Sequence, residues 1–347
     1  MPRPTRVPFS RASGFGALFR VTAAAAGDGA VAALQPDSPT DLSACRPMQP
    51  VPFHLMNGAF RAAAAQLDDP LLGARIGLMF GLEDFAPFAE YALAGATLGD
   101  VIARAVRAQP LHSSAERLDL RIEGDRAIWR LGYDARNEPG VAQHAMRTLM
   151  PMLGAVRRYA GGKAGRIGIS LAEVGTDDAR RLEQLLGLRV RGRQENYELS
   201  FPAAWLGNWT PLQGWPDDLV AQELAPYVGQ PLPPSMVSAV TAALALAEDA
   251  PAAGIDSTAH AMGLHRHALQ RALAAEHVSY RDLLRHVRIE RAAQLLGKTD
   301  QSLAEIALRA GYSDQANFHR AFVTIMGTTP ARYRFAGKGE RAIESKS

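Results

Sequence analysis

The chain has 347 residues, enough at about 150 residues per domain for two independent cores. Its 47% hydrophobic and 21% charged residues are those of a globular protein rather than a disordered or fibrous one. The single cysteine, Cys45, excludes a disulfide framework, a four-cysteine zinc site and a cysteine-held iron–sulfur cluster. The net charge of +3 is confined to the last third, where residues 231–347 hold 14 Lys and Arg against 11 Asp and Glu, with 24 of each upstream. Six of the nine histidines also follow residue 250. A polyanion is the partner such a region suits, although many solvated helical faces are as basic. No apolar run reaches the roughly 18 residues a membrane span requires, so no membrane partner is expected.

In chain order, residues 1–35 place Arg3, Arg6, Arg11 and Arg20 before the first acid, Asp28, and read as a loose basic arm leading into the first helices. Residues 36–209 mix helix and strand. Thr97 caps a helix whose Leu98, Val101, Ile102 and Ala105 recur at helical spacing. Leu118, Leu120 and Ile122, then Trp129, Leu131 and Tyr133, alternate on either side of Glu123-Gly124-Asp125, which predicts a hairpin. Pro151 inside the helical stretch 141–158 is expected to kink or divide it. Ile167, Ile169 and Leu171 give a further strand, Thr176 opens a helix through Leu182 and Leu185, and Tyr197, Leu199 and Phe201 give the last strand. Arg189, Arg191 and Arg193 precede it, as a charged edge strand or an anion site. Tyr91, His144, Leu149 and Met152 are candidates to line a small-molecule pocket, with ordinary core as the competing reading. A proline-rich stretch over 210–234 reads as a linker, and 337–347 as a tail without structure.

Residues 235–336 carry only helical periodicity, so the fold class is an α+β N-terminal domain followed by an all-α C-terminal one. The second half contains an internal repeat. Ala259, Gly263, Leu269, Arg271, Ala272 and Leu273 return as Ala307, Gly311, Phe318, Arg320, Ala321 and Phe322, with one extra residue in the second turn. Each copy reads as a short helix, a glycine where that helix must stop, and a second helix packed back on the first. That is a helix-turn-helix. With Leu269 and Leu273 buried, Arg266, His267, Gln270 and Arg271 are left outward. With Phe318 and Phe322 buried, Gln315, Ala316, Asn317, His319 and Arg320 are. Arg can donate twice to guanine, and Gln and Asn can pair with adenine, so these residues are the candidate contacts to double-stranded DNA. One such hairpin could be any amphipathic pair. Two copies joined by a continuous helix from Tyr280 to Leu296, about 25 Å long, suit adjacent major-groove segments about 34 Å apart.

The run Ile255–Arg334, densest in IALRAGYSDQANFHRAF and GTTPARYR, resembles the DNA-binding module of AraC/XylS-type bacterial transcription regulators. His265 stands where that family often has a capping Ser, and Val323 and Thr324 replace a usually basic pair. Residues 41–209, through DDPLLGARIGLMFGLEDFAPFAEYALAGATLGDVIARAV and ENYELSFPAAWL, are similar to the N-terminal sensor domain of the ornithine-utilisation group of AraC-like regulators. The resemblance implies seven helices and two helix-turn-helix units in the C-terminal domain, with promoter DNA, RNA polymerase and a small-molecule effector as partners. It also implies possible homodimers, activation of transcription, and a cytoplasmic protein held on the nucleoid when bound.

Little points elsewhere. There is no phosphate loop, dinucleotide fingerprint or His-Glu-x-x-His motif, and Gly168-Ile169-Ser170-Leu171-Ala172 lacks the closing glycine of a nucleophile elbow and sits in a strand. His265 and His267 have no acid or cysteine beside them to complete a metal site. Neither enzyme activity nor a cofactor is expected. The alternatives are a regulator controlled by oligomerisation alone, a small-metabolite enzyme with an accessory helical domain, and a helical scaffold for a protein partner.

Overall fold

The computed structural model describes residues 6–13, 15–34, 41–79, 87–133, 138–209, 232–246 and 254–336. Most of the expected linker and all of the expected tail lie outside these residues. The chain divides into two compact units, one of residues 8–36 and 42–233, the other centred on residues 234–347. Among the described residues no helix is long and apolar enough to cross a membrane.

The first unit begins with a short ribbon, β1 (Phe9–Arg11) antiparallel to β2 (Pro50–Pro52), around α1 (Gly16–Ala26) and α2 (Asp28–Ala32). The loose arm expected at the start is therefore not loose from Phe9 onward. Phe9, Phe15, Leu18 and Phe19 are buried, and their burial outweighs the charge that suggested a solvated arm. The Arg11 guanidinium, itself buried, donates from Nε to the Leu111 carbonyl (2.8 Å) and from Nη1 to that of Met48 (2.9 Å). Helices α3 (Phe53–Gln66), α4 (Leu72–Met79), α5 (Phe88–Leu93) and α6 (Leu98–His112) follow. Thr97 caps α6 as expected, its hydroxyl accepting from the Asp100 N–H (3.2 Å) while Asp100 accepts from the Thr97 N–H (3.1 Å).

The sheet has five strands in the order β3-β4-β7-β5-β6, with β3 (Glu116–Glu123), β4 (Arg126–Tyr133), β5 (Gly168–Ala172), β6 (Arg189–Gln194) and β7 (Tyr197–Pro202). β3 and β4 form the expected hairpin, with Leu118 opposite Leu131 and Leu120 opposite Trp129. β5 and β6 are parallel, joined through α8 (Thr176–Leu186), and β6 forms an edge of the sheet, so its arginines sit where a charged row discourages further pairing. Against the sheet lies α7 (Val141–Tyr159), which runs unbroken through Pro151. The expected division does not occur, because the helix is buried over most of its length and tertiary packing holds it across the missing N–H. α4 crosses α7 closely enough that a Cβ on Gly73 would lie 2.0 Å from the Gln143 carbonyl oxygen, and one on Gly77 2.4 Å from that of Arg147. Only glycine permits that approach.

The second unit is helical throughout its described residues: α9 (Met236–Leu246), α10 (Ile255–Ala261), α11 (Arg266–Ala275), α12 (Tyr280–Lys298), α13 (Leu303–Arg309), α14 (Gln315–Met326) and a final segment, α15, over 330–336. Ile289, Ala292, Ala293 and Leu296 of α12 form one core with Ile306, Ala307, Phe318 and Phe322 of α13 and α14.

Candidate nucleic-acid interface

The two halves of the repeat fold as the same device. α10 ends at Gly263 (φ +67°), where the Leu264 N–H returns to the Ala259 carbonyl at 2.8 Å. α13 ends at Gly311 (φ +82°), where the Tyr312 N–H returns to the Ala307 carbonyl at 2.9 Å. Both closures are the left-handed stop that glycine adopts without cost. The extra residue falls between this stop and the second helix, so Asp314 rather than a histidine caps α14. Its carboxylate accepts from the Asn317 N–H (2.7 Å), and that bond holds its pKa below the ordinary value. The cap of α11, His265, makes no side-chain cap bond, in keeping with the absence of a capping Ser.

Gly311 tests the device directly. A Cβ there would meet Arg288 Nε at 3.0 Å, and the φ is one that L-residues avoid. Gly311→Ala is expected to cost about 1–2 kcal/mol in denaturant unfolding and to displace the Arg288 guanidinium from the Tyr312 ring. Gly327→Ala, at φ +68° with open space around it, should cost only the backbone share of that.

On the second helix of each unit the candidate contacts are all exposed: Arg266, His267, Gln270 and Arg271 on α11, and Gln315, Ala316, Asn317, His319 and Arg320 on α14. Beneath them Leu269, Leu273, Phe318 and Phe322 are 0–1% exposed. The faces are not equally free. Arg266 pairs with Asp256 (3.1 Å), and Arg320 donates to the Asn317 side-chain carbonyl (2.5 Å), while the Asn317 amide donates to Asp314. These bonds link Asp314, Asn317 and Arg320 along one helix face. Between the units α12 spans 19 residues, about 28 Å, capped by Ser279, whose hydroxyl accepts from the Asp282 N–H (3.2 Å). Arg334 donates to the Gln301 carbonyl (2.6 Å), tying α15 to the entry of α13.

In the first unit the four residues considered for an effector pocket separate. Met152 lines a cavity, Leu149 is plain core, Tyr91 is engaged by Arg107 (3.0 Å) and by Arg104 over its ring (5.3 Å), and His144 is buried beside Glu116 (3.4 Å). The cavity, of about 100 Å³, lies among α5, α6, α7 and the β3–β4 hairpin, with Glu116, His112, Gln109, Thr148 and Trp129 in its wall. Those five were missed. Glu116 gave a signal, because it shares strand parity with the inward Leu118 and Leu120 and so is a charge at a core position. Arg189 and Arg191 line a separate open hollow of about 640 Å³ on the sheet, with Arg126, Arg166 and Glu198.

The buried polar cluster has a defined charge state. Burial alone would raise the Glu116 carboxyl, but the His144 ring 3.4 Å away and, in the acid range where this carboxyl titrates, the positive charges of His144, His112 and Arg147 outweigh it and hold the pKa well below the carboxylate range. Tyr133 donates to it (3.0 Å), as do Thr148 (3.2 Å) and Gln109 (3.1 Å). Burial lowers His112 to about 4, so the ring, bonded to the Ser13 hydroxyl at 2.7 Å, is neutral near pH 7.

Two tandem helix-turn-helix units joined by one helix, in one chain with an α+β domain, define a DNA-binding transcription regulator with an N-terminal effector-binding domain. A helix-turn-helix domain model matches residues 258–336, and the model described as the arabinose-binding domain of AraC transcription regulator, N-terminal, matches residues 38–208. The HTH-type transcriptional regulator VirS of Mycobacterium tuberculosis is 30% identical over 290 residues, 80% of this chain and 82% of that one. The ornithine utilization regulator of Pseudomonas aeruginosa is 24% identical over 278 residues, 79% and 81% of the two chains. The crystal structure of the transcriptional regulator CdpR from Pseudomonas aeruginosa matches at 21% identity and a TM-score of 0.38, over 76% of this chain and 86% of that one. The chain belongs to the AraC family of transcription regulators.

Proposed function

We propose that residues 235–336 read an asymmetric promoter site through Arg271 and Arg320, with Arg266, His267 and Gln270 beside the first and Gln315, Ala316, Asn317 and His319 beside the second. Residues 36–209 bind the effector and carry the dimer contact. The protein acts in the cytoplasm as an activator that contacts RNA polymerase, and it has no catalytic role. The observation that supports this most is the pairing of two buried apolar ridges with two exposed donor faces on one chain, at either end of a helix about 28 Å long. The site is asymmetric because the two faces differ in sequence, and a dimer would repeat it directly.

The test is binding of the full chain to a labelled duplex from its own upstream region across about 50 to 300 mM salt, against unrelated duplex. Selective binding with a steep salt slope is expected. Arg271→Ala and Arg320→Ala should each lose about 1–3 kcal/mol and relax the preference in one half of the site. Unchanged affinity and unchanged preference in both variants would remove these residues from the interface.

A further inference from the structure

We propose that the cavity among α5, α6, α7 and the β3–β4 hairpin is the effector site, and that it selects a small uncharged molecule with a short alkyl body and one amide or hydroxyl head. The proposal rests on the reading of residues 36–209 as the effector-binding domain. Its walls are apolar on most sides, with Phe88 from α5, Ala108 from α6, Leu118 from β3 and Met152 from α7. A volume of about 100 Å³ is smaller than the roughly 150 Å³ cavity that accommodates benzene, which sets the whole molecule at about four to six non-hydrogen atoms.

One polar group in the wall has capacity left, and a second lies just behind it. Glu116 Oε1 already accepts from Tyr133 and Thr148, whereas Oε2 accepts from Gln109 alone and can take another donor. Trp129, 2% exposed, lines the cavity, and its indole N–H, shut off from water and without a hydrogen-bond partner, would have to turn toward the cavity to donate to a ligand acceptor. An amide or hydroxyl head offers both a donor and an acceptor. The charges around the cavity argue against an ion. Among the described residues the buried cluster holds the guanidiniums of Arg11 and Arg147 against the one carboxylate of Glu116. An ammonium would add a third cation to an already positive cluster, and a carboxylate would meet Glu116 in the cavity wall, where neither guanidinium is present to pair with it.

The experiment uses the full chain and three probes of equal length: n-butyramide, n-butylammonium and butyrate. The readout is the Trp129 indole N–H resonance, assigned by its loss in Trp129→Phe, together with thermal melting. Butyramide should shift that resonance saturably, and the two ions should bind at least about tenfold more weakly. Trp129→Phe, which keeps the ring body, should weaken butyramide about five- to tenfold by melting shift, and Ala108→Phe, which fills the cavity, should abolish its binding. A silent butyramide titration, ions that bind as well, or an unchanged affinity in Trp129→Phe would overturn the proposal; should Ala108→Phe not fold, Trp129→Phe decides. Operator binding is measured on the same preparation. Selective operator binding without butyramide binding sinks the cavity proposal alone, whereas loss of selective operator binding sinks the regulator reading.

Discussion

Phe318→Ala is expected to cost about 3–5 kcal/mol and to abolish operator selectivity, although residue 318 itself faces away from any DNA. The ring is fully buried, 5.7 Å from that of Tyr312 and 5.6 Å from that of Phe322, which in turn lies 5.6 Å from Tyr333. These aromatics, with Ile289 and Ile306, are what fixes α14 on α12 and α13. Removing the central ring leaves a void that a small helical unit cannot close by collapse, and total domain stability is only about 5–15 kcal/mol. The matching change in the first unit, Leu269→Ala, should cost less, about 2–5 kcal/mol, because fewer atoms are lost. Denaturant unfolding of the full chain by far-ultraviolet dichroism measures both, and duplex competition measures selectivity. A cost under about 1 kcal/mol for Phe318→Ala would mean that the second unit is not held by its aromatic core.

The reason the C-terminal domain was so legible lies in this same economy. Ala259, Gly263, Leu269 and Leu273, and their counterparts Ala307, Gly311, Phe318 and Phe322, each answer a local demand: a small residue at a crossing, a left-handed stop, a buried ridge. Local demands leave a mark in sequence at fixed spacing, so the exposed faces of α11 and α14 could be assigned by subtraction. The hairpin and the Thr97 cap were legible on the same ground. What could not be read is what depends on residues far apart in the chain. Arg11 looked like part of a solvated basic arm because its partners, the carbonyls of Met48 and Leu111, are brought to it only by the fold. Pro151 reads as a kink or a break, and the break is absent because propensity says nothing of the burial that holds α7 across it. Glu116 is joined by His112, Tyr133 and His144 from three further elements, and no spacing rule links them.

That cluster makes the stability of the N-terminal domain depend on pH, with a sign that follows from the direction of each shift. His112 has a pKa of about 4 in the fold against an ordinary 6.5. Between those values the unfolded chain takes up a proton that the native state refuses, so the stability it contributes is complete above about pH 6.5 and is lost as the pH falls toward 4. A displacement of that size corresponds to on the order of 3 kcal/mol. His144, lowered chiefly by burial, acts in the same direction. Glu116, held below its ordinary 4.5, extends the loss further into acid as its carboxylate is protonated in the unfolded chain first. The melting temperature of the first unit should therefore decline from near pH 6.5 downward and steepen below about 4.5, and His112→Asn should flatten the upper part of that decline. If the variant keeps the full slope between pH 6.5 and 4, the titrating group lies elsewhere. Glu116→Ala is expected to be the most damaging change in this domain, about 3–5 kcal/mol at pH 7, because it withdraws the carboxylate from the buried Arg147 guanidinium and from the hydroxyls of Tyr133 and Thr148. Glu116→Gln, which keeps the shape and one acceptor, should recover part of the packing but not the charge balance, and so should melt between the wild type and Glu116→Ala. Equal melting of the two variants would show that packing, not the carboxylate charge, is what this position supplies.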